Sequence, residues 1–265
     1  MSIVASVPWT GFVIMSFWPV WLWYAKRLSD GSDEPWGILA LLAVAAIAAL
    51  QGSRSKPSST AIGCSACLVI AYAAAYSWLP FLVRGVLSVL ALSFLLSSKY
   101  FGKTLQPGIT GLLILSLPLI ASLQFYGGFP IRFVTAHLCA WLINLIGYPV
   151  TVEGTLLHWF GEVIAVDAPC AGIKMLWSAL FVNFCLAAWL DLGFFRTWTL
   201  TSFTMSAVFV GNVLRAFILF FIESGIVVAP DWAHSAIGVL VFSGVLIAIL
   251  SLHSHLNLRS SRCEN

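Results

Sequence analysis

Three side chains of the kinds used in acyl transfer occur in the C-terminal part of the chain: Cys170, Arg215 and His234. A thiolate is a nucleophile, an imidazole transfers protons, and a guanidinium stabilises a developing oxyanion. Cys170 follows Pro169, a residue favoured at the first position of a helix, so the thiol is expected in a first helical turn. The partial positive charge there favours the thiolate, although Asp167 opposes it by repulsion. These side chains are distant in sequence, so the fold must assemble them.

The composition restricts the class of protein that can carry these residues. The chain has 265 residues, of which 60% are hydrophobic and 9% charged, so it has too little polar surface for a water-soluble globule. It is therefore expected to be an integral membrane protein. The formal charge of +3 is far from a dense basic patch, which excludes nucleic acid as the main partner.

Nine apolar runs have the length of helices, and helices are expected because lipid offers the backbone no hydrogen-bond partners. The runs are Trp9 to Ala25, Trp36 to Gln51, Thr60 to Trp78, Phe81 to Ser97, Gly108 to Phe125, Ile131 to Ile146, Cys170 to Leu190, Trp198 to Ile222 and His234 to Leu252. The first run lacks preceding basic residues and a convincing cleavage site, so it is expected to be a retained span and not a signal peptide.

Basic residues between the runs predict the orientation, because they favour the cytoplasmic side. If all nine runs crossed, the Lys99 and Lys103 connector and the Arg196 connector would lie on opposite faces. One run should therefore not cross. Ile131 to Ile146 contains Arg132, His137 and Asn144, so it is predicted to be an interfacial or re-entrant helix on the outer face.

The predicted fold is all-α, a polytopic bundle of about eight spans with both termini inside. It is a single integral membrane domain over residues 1–265, with N-terminal spans in 1–125, a motif-bearing part in 126–252 and a cytoplasmic tail in 253–265. The outer connector from Tyr148 to Ala168 mixes valines with Thr, Glu and Gly, which favours a short β-hairpin around Glu153-Gly154.

This topology places the three chemical groups at one level. The helix that begins at Cys170 starts outside, the next delivers Arg215 outside, and the last descends from His234. Each residue also has an ordinary interpretation, because an arginine near a helix end can snorkel and a histidine at a membrane boundary is commonly interfacial. Asn212, one turn before Arg215 on the same helix face, favours the functional interpretation.

Three short motifs resemble the signatures of the exosortase/archaeosortase family, multi-spanning transpeptidase-like enzymes of bacteria and archaea. They are Cys170-Ala171-Gly172, Asn212-Val213-Leu214-Arg215 and His234-Ser235-Ala236-Ile237-Gly238, and the similarity covers roughly Arg132 to Leu252. Ala171 departs from the family, where serine often follows the cysteine. The resemblance implies that Cys170 attacks a peptide carbonyl, Arg215 steadies the anionic intermediate and His234 moves protons.

The resemblance also implies the substrate and the location. Family substrates are exported proteins that end in a sorting signal: a short motif, Pro-Glu-Pro in many bacterial cases, then a transmembrane helix and a basic tail. The enzyme would be a multi-pass protein of the cytoplasmic membrane, with its active site on the outer face and membrane lipid around it. It would cleave the signal through an acyl-enzyme and transfer the protein to an acceptor.

Other polar residues near the motifs allow two interpretations each. Asp231 precedes His234 by three residues and would either orient the imidazole or cap the last helix. Lys174 would favour the thiolate or bind an acidic substrate residue, or else snorkel to the headgroups. Glu223, like Glu153 and Glu162, is expected to be a solvated charge on the outer face.

The sequence predicts no cofactor and no metal site. His253 and His255 lack the further ligands that a metal site needs. The pair Cys64 and Cys67 lacks a second cysteine pair with which to exchange a disulfide, so these two cysteines are expected to be small packing residues. The competing hypothesis is a non-enzymatic membrane scaffold or a small-solute transporter in which Arg215, Asn212 and Asp231 line a solute path.

Overall fold

The structure, a computed structural model, describes residues 7–29, 35–167, 171–230 and 232–263. Within these residues the protein is mostly helical, with ten helices and one small antiparallel sheet. In chain order the elements are α1 (Val7–Ser16), α2 (Trp18–Ser29), α3 (Trp36–Gln51), α4 (Ser59–Ala74), α5 (Phe81–Phe101), α6 (Pro107–Leu115), α7 (Ile120–Leu145), β1 (Thr151–Glu153), β2 (Leu156–Trp159), β3 (Glu162–Ala165), α8 (Ile173–Trp189), α9 (Phe194–Glu223) and α10 (Ala233–Cys263).

Three of the described helices are long and apolar enough to cross a membrane: α5, α9 and residues Ala233–His255 of α10. A fourth is counted if α6 and α7 are taken together across their break, and α3, α4 and α8 are apolar but shorter. The helical membrane architecture is confirmed, whereas the predicted number of eight spans is not.

Several predicted boundaries were wrong. The run Trp9 to Ala25 forms two helices that separate at Phe17, and the run Gly108 to Phe125 is interrupted at residues 116–119. Pro118 lies in that interruption, where it lacks a backbone N–H and disfavours helical backbone at the residue before it. Residues 131–145 belong to the longer helix α7, which begins at Ile120 and continues through Pro130.

The described chain forms two compact units, of which the first contains residues 1–119 and 181–199. One apolar cluster in this unit is built around Phe17, Tyr72 and Leu95. A second cluster joins α3, α5 and α6 to the end of α8. A Cβ atom on Gly108 would lie 2.4 Å from the backbone nitrogen of Ala188, so only glycine permits this close approach of α6 to α8.

Gln106 caps helix α6 in this first unit. Its side-chain oxygen accepts hydrogen bonds from the backbone nitrogens of Gly108 and Ile109, at 2.6 and 3.2 Å. Its amide nitrogen donates to the carbonyl oxygen of Ala187 at 3.1 Å. The side chain is fully buried, and these bonds satisfy groups that a helix terminus otherwise leaves open.

The second unit contains residues 120–180 and 200–265, and its sheet has the order β1-β2-β3. The predicted hairpin is present, because Glu153 pairs with Leu156 across a two-residue turn that begins at Gly154. A third strand extends it through a second turn, in which Phe160 and Gly161 have φ values of 46° and 89°. Two positive φ values suit a two-residue hairpin turn, since they match the twist of the strands.

The sheet is attached to the helices of its own unit by apolar packing and by one asparagine. Leu157 and Ile164 pack in a cluster with Ile143 of α7. The Asn144 side chain donates to the carbonyl oxygen of Val150 at 2.9 Å and accepts from the nitrogen of Val150 at 3.0 Å. Asn144, which suggested an interfacial helix in the sequence, thus ties the end of α7 to the residue before β1.

Candidate active site

The candidate site lies in the second unit, where α9 ends and α10 begins. Arg215 is on α9, Glu223 is the last residue of that helix, and His234 is the second residue of α10. The described part of the connector turns at Gly225, whose φ is 73°, and the nitrogen of Val227 donates to the carbonyl oxygen of Phe221 at 2.8 Å. This return of the chain brings the two helix ends together.

The His234 ring has an ionisable neighbour at each nitrogen. Its Nε2 lies 3.3 Å from Nη2 of Arg215, and its Nδ1 lies 3.5 Å from Oε1 of Glu223. The side chains of His234 and Glu223 are 45% and 37% exposed, so a ligand can reach them. The expected proximity of Arg215 and His234 is therefore found in the structure.

Gly238 supports the arginine from the next turn of α10. A Cβ atom built on Gly238 would lie 3.5 Å from Nε of Arg215, so the guanidinium passes directly over this glycine. Because Gly238 is four residues after His234, it occupies the same face of the helix. The glycine and the histidine of one sequence motif thus meet the arginine of another.

The start of α8 contacts the same stretch of α9. Gly172 has a φ of 69°, a left-handed conformation that favours glycine, and a Cβ atom there would lie 2.8 Å from the Oδ1 oxygen of Asn212. Asn212 is buried, with 2% of its surface exposed. The carbonyl oxygen of Gly172 then accepts a hydrogen bond of 2.8 Å from the nitrogen of Leu176, which begins the helix.

An apolar cavity of about 150 Å³ adjoins this contact. Ala171, Gly172 and Asn212 line it together with side chains of α7 and α9 such as Ile131 and Phe209. The cavity is large enough to hold a small apolar side chain. It adjoins Ala171, the residue that follows Cys170 in the sequence.

Two of the predicted site residues, Cys170 and Asp231, lie outside the described residues. Lys174 is exposed in the first turn of α8. Among the residues that the structure describes, no three His, Cys, Asp or Glu side chains form a group that could hold a metal ion. Cys64 and Cys67, the pair with redox spacing, are free thiols on α4.

Sequence reasoning assigned Glu223 to the solvated surface, whereas the structure places it against His234. The available signal was helical periodicity. Glu223 follows Arg215 by eight residues, about 2.2 turns at 3.6 residues per turn, so the two side chains lie about 80° apart within one broad face of α9. Asp231 drew attention instead because it is close to His234 in sequence.

Comparison with known proteins bears on this arrangement. A protein-family model described as transmembrane exosortase matches residues 9–251. The chain belongs to the transmembrane exosortase family. The resemblance found in the sequence motifs is confirmed, and the match extends well beyond them into the N-terminal helices. Comparisons with curated proteins and with solved structures found no match.

Family membership gives a coarse description of what the protein is. Transmembrane exosortases are membrane enzymes that act on exported proteins, and this chain is a multi-pass membrane protein of that family. The catalytic roles of Cys170, Arg215 and His234 stay predictions. For this exosortase, the geometry of Arg215, His234 and Glu223 is the starting point for a mechanism.

Proposed function

We propose that this exosortase is a membrane-embedded cysteine peptidase or transpeptidase that cleaves the C-terminal sorting signal of exported proteins through an acyl-enzyme on Cys170. The observation that carries the proposal is the 3.3 Å contact between Arg215 and His234. Arg215 lies on the stretch of α9 that also contacts Gly172 through Asn212. Nucleophilic catalysis needs a base and an oxyanion stabiliser near one thiol.

Chain connectivity links Cys170 to this group. Consecutive Cα atoms are about 3.8 Å apart, and Cys170 is separated from Gly172 by one residue. Gly172 contacts Asn212, and side chains three residues apart on a helix are neighbours, which brings Arg215 into the same region. This connectivity supports the proposal that Cys170 supplies the nucleophile for Arg215 and His234.

The proposed reaction begins when the Cys170 thiol gives its proton to His234 and the thiolate attacks the scissile carbonyl carbon. The carbonyl electron pair moves to oxygen, and the oxyanion is stabilised by N–H groups of Arg215. The guanidinium has five donors and no acceptor, so its contact with Nε2 of His234 is released when that nitrogen takes the thiol proton. The imidazolium then protonates the leaving amine as the C–N bond breaks, which leaves a thioester. Water or another amine attacks the thioester and restores the thiol.

The substrate proposed for this site is an exported protein whose tail has a Pro-Glu-Pro type motif, a transmembrane helix and basic residues. A signal helix held in the bilayer would present its outer flank at the level of His234, if the site faces the outer side of the cytoplasmic membrane. Restricting both partners to one membrane raises their effective concentration, so proximity contributes to the rate.

The test uses vesicles that contain the full-length exosortase and a protein with such a tail from the same genome. Cleavage of the tail is followed by mass spectrometry for the wild type, Cys170→Ala and a matched control, Cys67→Ala, which removes an exposed thiol on α4. We expect cleavage with a hydroxylamine-sensitive adduct in the wild type and the control, and neither in Cys170→Ala.

Normal cleavage by Cys170→Ala would overturn the proposal. Solute accumulation that depended on Arg215 but not on Cys170 would favour the transporter hypothesis instead.

A further inference from the structure

We infer that Glu223 is a positioning residue that holds His234 in the tautomer needed for proton transfer. This inference deepens the proposed function, because it concerns the same imidazole. It rests on the two neighbours of the ring, Arg215 at Nε2 and Glu223 at Nδ1.

The donors and acceptors around the ring determine the position of its proton. A guanidinium has only donors, so the Nε2 atom that faces Arg215 at 3.3 Å must accept. A neutral imidazole with an accepting Nε2 carries its hydrogen on Nδ1. The Nδ1 atom lies 3.5 Å from a carboxylate oxygen of Glu223, which is an acceptor for that hydrogen.

This arrangement leaves the basic nitrogen on the side of the reaction. The lone pair of Nε2 accepts from Arg215, the group proposed to stabilise the oxyanion, until the thiol proton arrives. The guanidinium then releases Nε2 and donates to the oxyanion, while Nε2 takes the proton. The ring must then become an imidazolium with hydrogens on both nitrogens. A carboxylate at Nδ1 orients the ring and stabilises that charge, as the acidic member of a catalytic triad does.

The location of Glu223 suits this role. It ends α9 while His234 begins α10, so the contact joins two helix ends and restricts the rotation of the imidazole. Asp167, Arg215 and His234 are the charged or titratable groups that interact with Glu223 among the described residues. Of these, His234 makes an ionic contact with the carboxylate at 3.5 Å.

A matched control exists in the same unit. Glu153 lies 3.6 Å from His158 within the sheet, and its side chain is 85% exposed. Neither residue belongs to the candidate site. Replacing Glu153 by Gln therefore removes a similar carboxylate–imidazole pair without touching the proposed machinery.

The first measurement needs no substrate. Nitrogen NMR of histidine-labelled protein in lipid reports which ring nitrogen carries the hydrogen, and the His234 signal is assigned by its absence in His234→Gln. We expect the Nδ1–H tautomer in the wild type and in Glu153→Gln. In Glu223→Gln the amide can donate to Nδ1 as well as accept from it, so we expect the Nε2–H tautomer to appear beside the Nδ1–H form.

The second measurement is tail cleavage in vesicles. Loss of the correct tautomer costs a triad enzyme about 10⁴-fold in kcat, so we expect Glu223→Gln to lower kcat by about 10²- to 10⁴-fold with KM nearly unchanged. Glu223→Asp keeps the acceptor and should recover most of that loss. A merely structural role would not be rescued in this way.

An Nε2–H tautomer in the wild type would overturn the inference, as would normal kcat in Glu223→Gln despite a changed tautomer. Failure of the proposed function gives a different result, namely persistent tail cleavage by Cys170→Ala. The tautomer measurement needs no cleavage, so it still tests the role of Glu223.

Discussion

Polar side chains in the two units have different kinds of partner. In the first unit Gln106 is fully buried, and its amide bonds to backbone groups of Gly108, Ile109 and Ala187. In the second unit His234 is 45% exposed and contacts the ionisable side chains of Arg215 and Glu223.

The difference separates polar groups that build the fold from polar groups available for chemistry. Buried backbone groups must keep a hydrogen-bond partner, so an amide that satisfies them cannot exchange that partner without a cost in stability. Ionisable side chains that contact one another at an accessible site can exchange protons and admit a ligand. Substitutions in the two regions should therefore affect different quantities.

Among the substitutions that compare the two units, the largest expected effect is that of Arg215→Ala in the second unit. Removing an oxyanion donor typically costs about 10²- to 10³-fold in rate, and we expect that loss in tail cleavage with little change in the thermal unfolding temperature. Arg196→Ala is the matched control, because Arg196 is an exposed arginine on the same helix α9. If Arg215→Ala does not fold, Arg215→Lys should fold and still lose most of its activity. Wild-type cleavage by Arg215→Lys would remove the proposed need for a planar guanidinium.

The next effect is that of Gly172→Ala, which should lower both activity and stability. A left-handed conformation costs about 1–2 kcal/mol for a residue with a Cβ atom, and displacement of Asn212 should slow cleavage by up to about 100-fold. Gly154→Ala carries the same backbone cost at a φ of 62°, but no atom lies within 4 Å of its new Cβ. Cleavage rates and unfolding in detergent should show a stability loss in both variants and a rate loss in Gly172→Ala alone. Equal rates in the two variants would exclude the role of the Gly172 contact.

Gln106→Ala tests the first unit, where the polar side chain stabilises the fold. It uncaps α6 and removes one of two donors to the carbonyl oxygen of Ala187, which keeps its bond from the nitrogen of Leu192, so the free energy of unfolding should fall by about 1–2 kcal/mol. The cleavage rate per folded molecule should stay at the wild-type value. Gln124→Ala, a substitution of another glutamine on α7, serves as the control. A rate loss without a stability loss in Gln106→Ala would show that the first unit also contributes to catalysis.

The smallest effect is expected for Lys103→Met. Lys103 pairs with Asp191 at 2.8 Å, but their side chains are 41% and 30% exposed. Exposed ion pairs contribute about 0–1 kcal/mol and are screened by salt, so unfolding should change little and the difference should shrink at high ionic strength. A loss as large as that of Gln106→Ala would mean that this pair is shielded from water.

The sequence predicted helices most accurately where an apolar run is uniform. The predicted run Trp36 to Gln51 coincides with α3, and the run from Phe81 begins where α5 begins. Prediction was wrong at two prolines. Pro118 lies inside a predicted run but at the break between two helices, whereas Pro130 lies between two predicted runs but within α7. A proline's effect depends on whether packing can compensate for the missing hydrogen bond, which the local sequence does not state.

The candidate site was predicted in part. The pairing of Arg215 with His234 followed from placing the helix ends at one level. The sequence pattern predicted a two-stranded hairpin, whereas the sheet has three strands. Glu223 was missed because a charged residue at a helix end has the same local pattern whether it faces water or a histidine.

The sequence by itself determined that this chain is helical, resides in a membrane and carries the motifs of a transmembrane exosortase. Transfer of apolar side chains into lipid and the need to satisfy the backbone there are local properties of each run, so composition is sufficient. The tertiary structure alone decided which carboxylate meets His234 and which glycines admit Arg215 and Asn212. Those contacts depend on the rotation and level of packed helices, and an error of one residue turns a side chain by about 100° away from its partner.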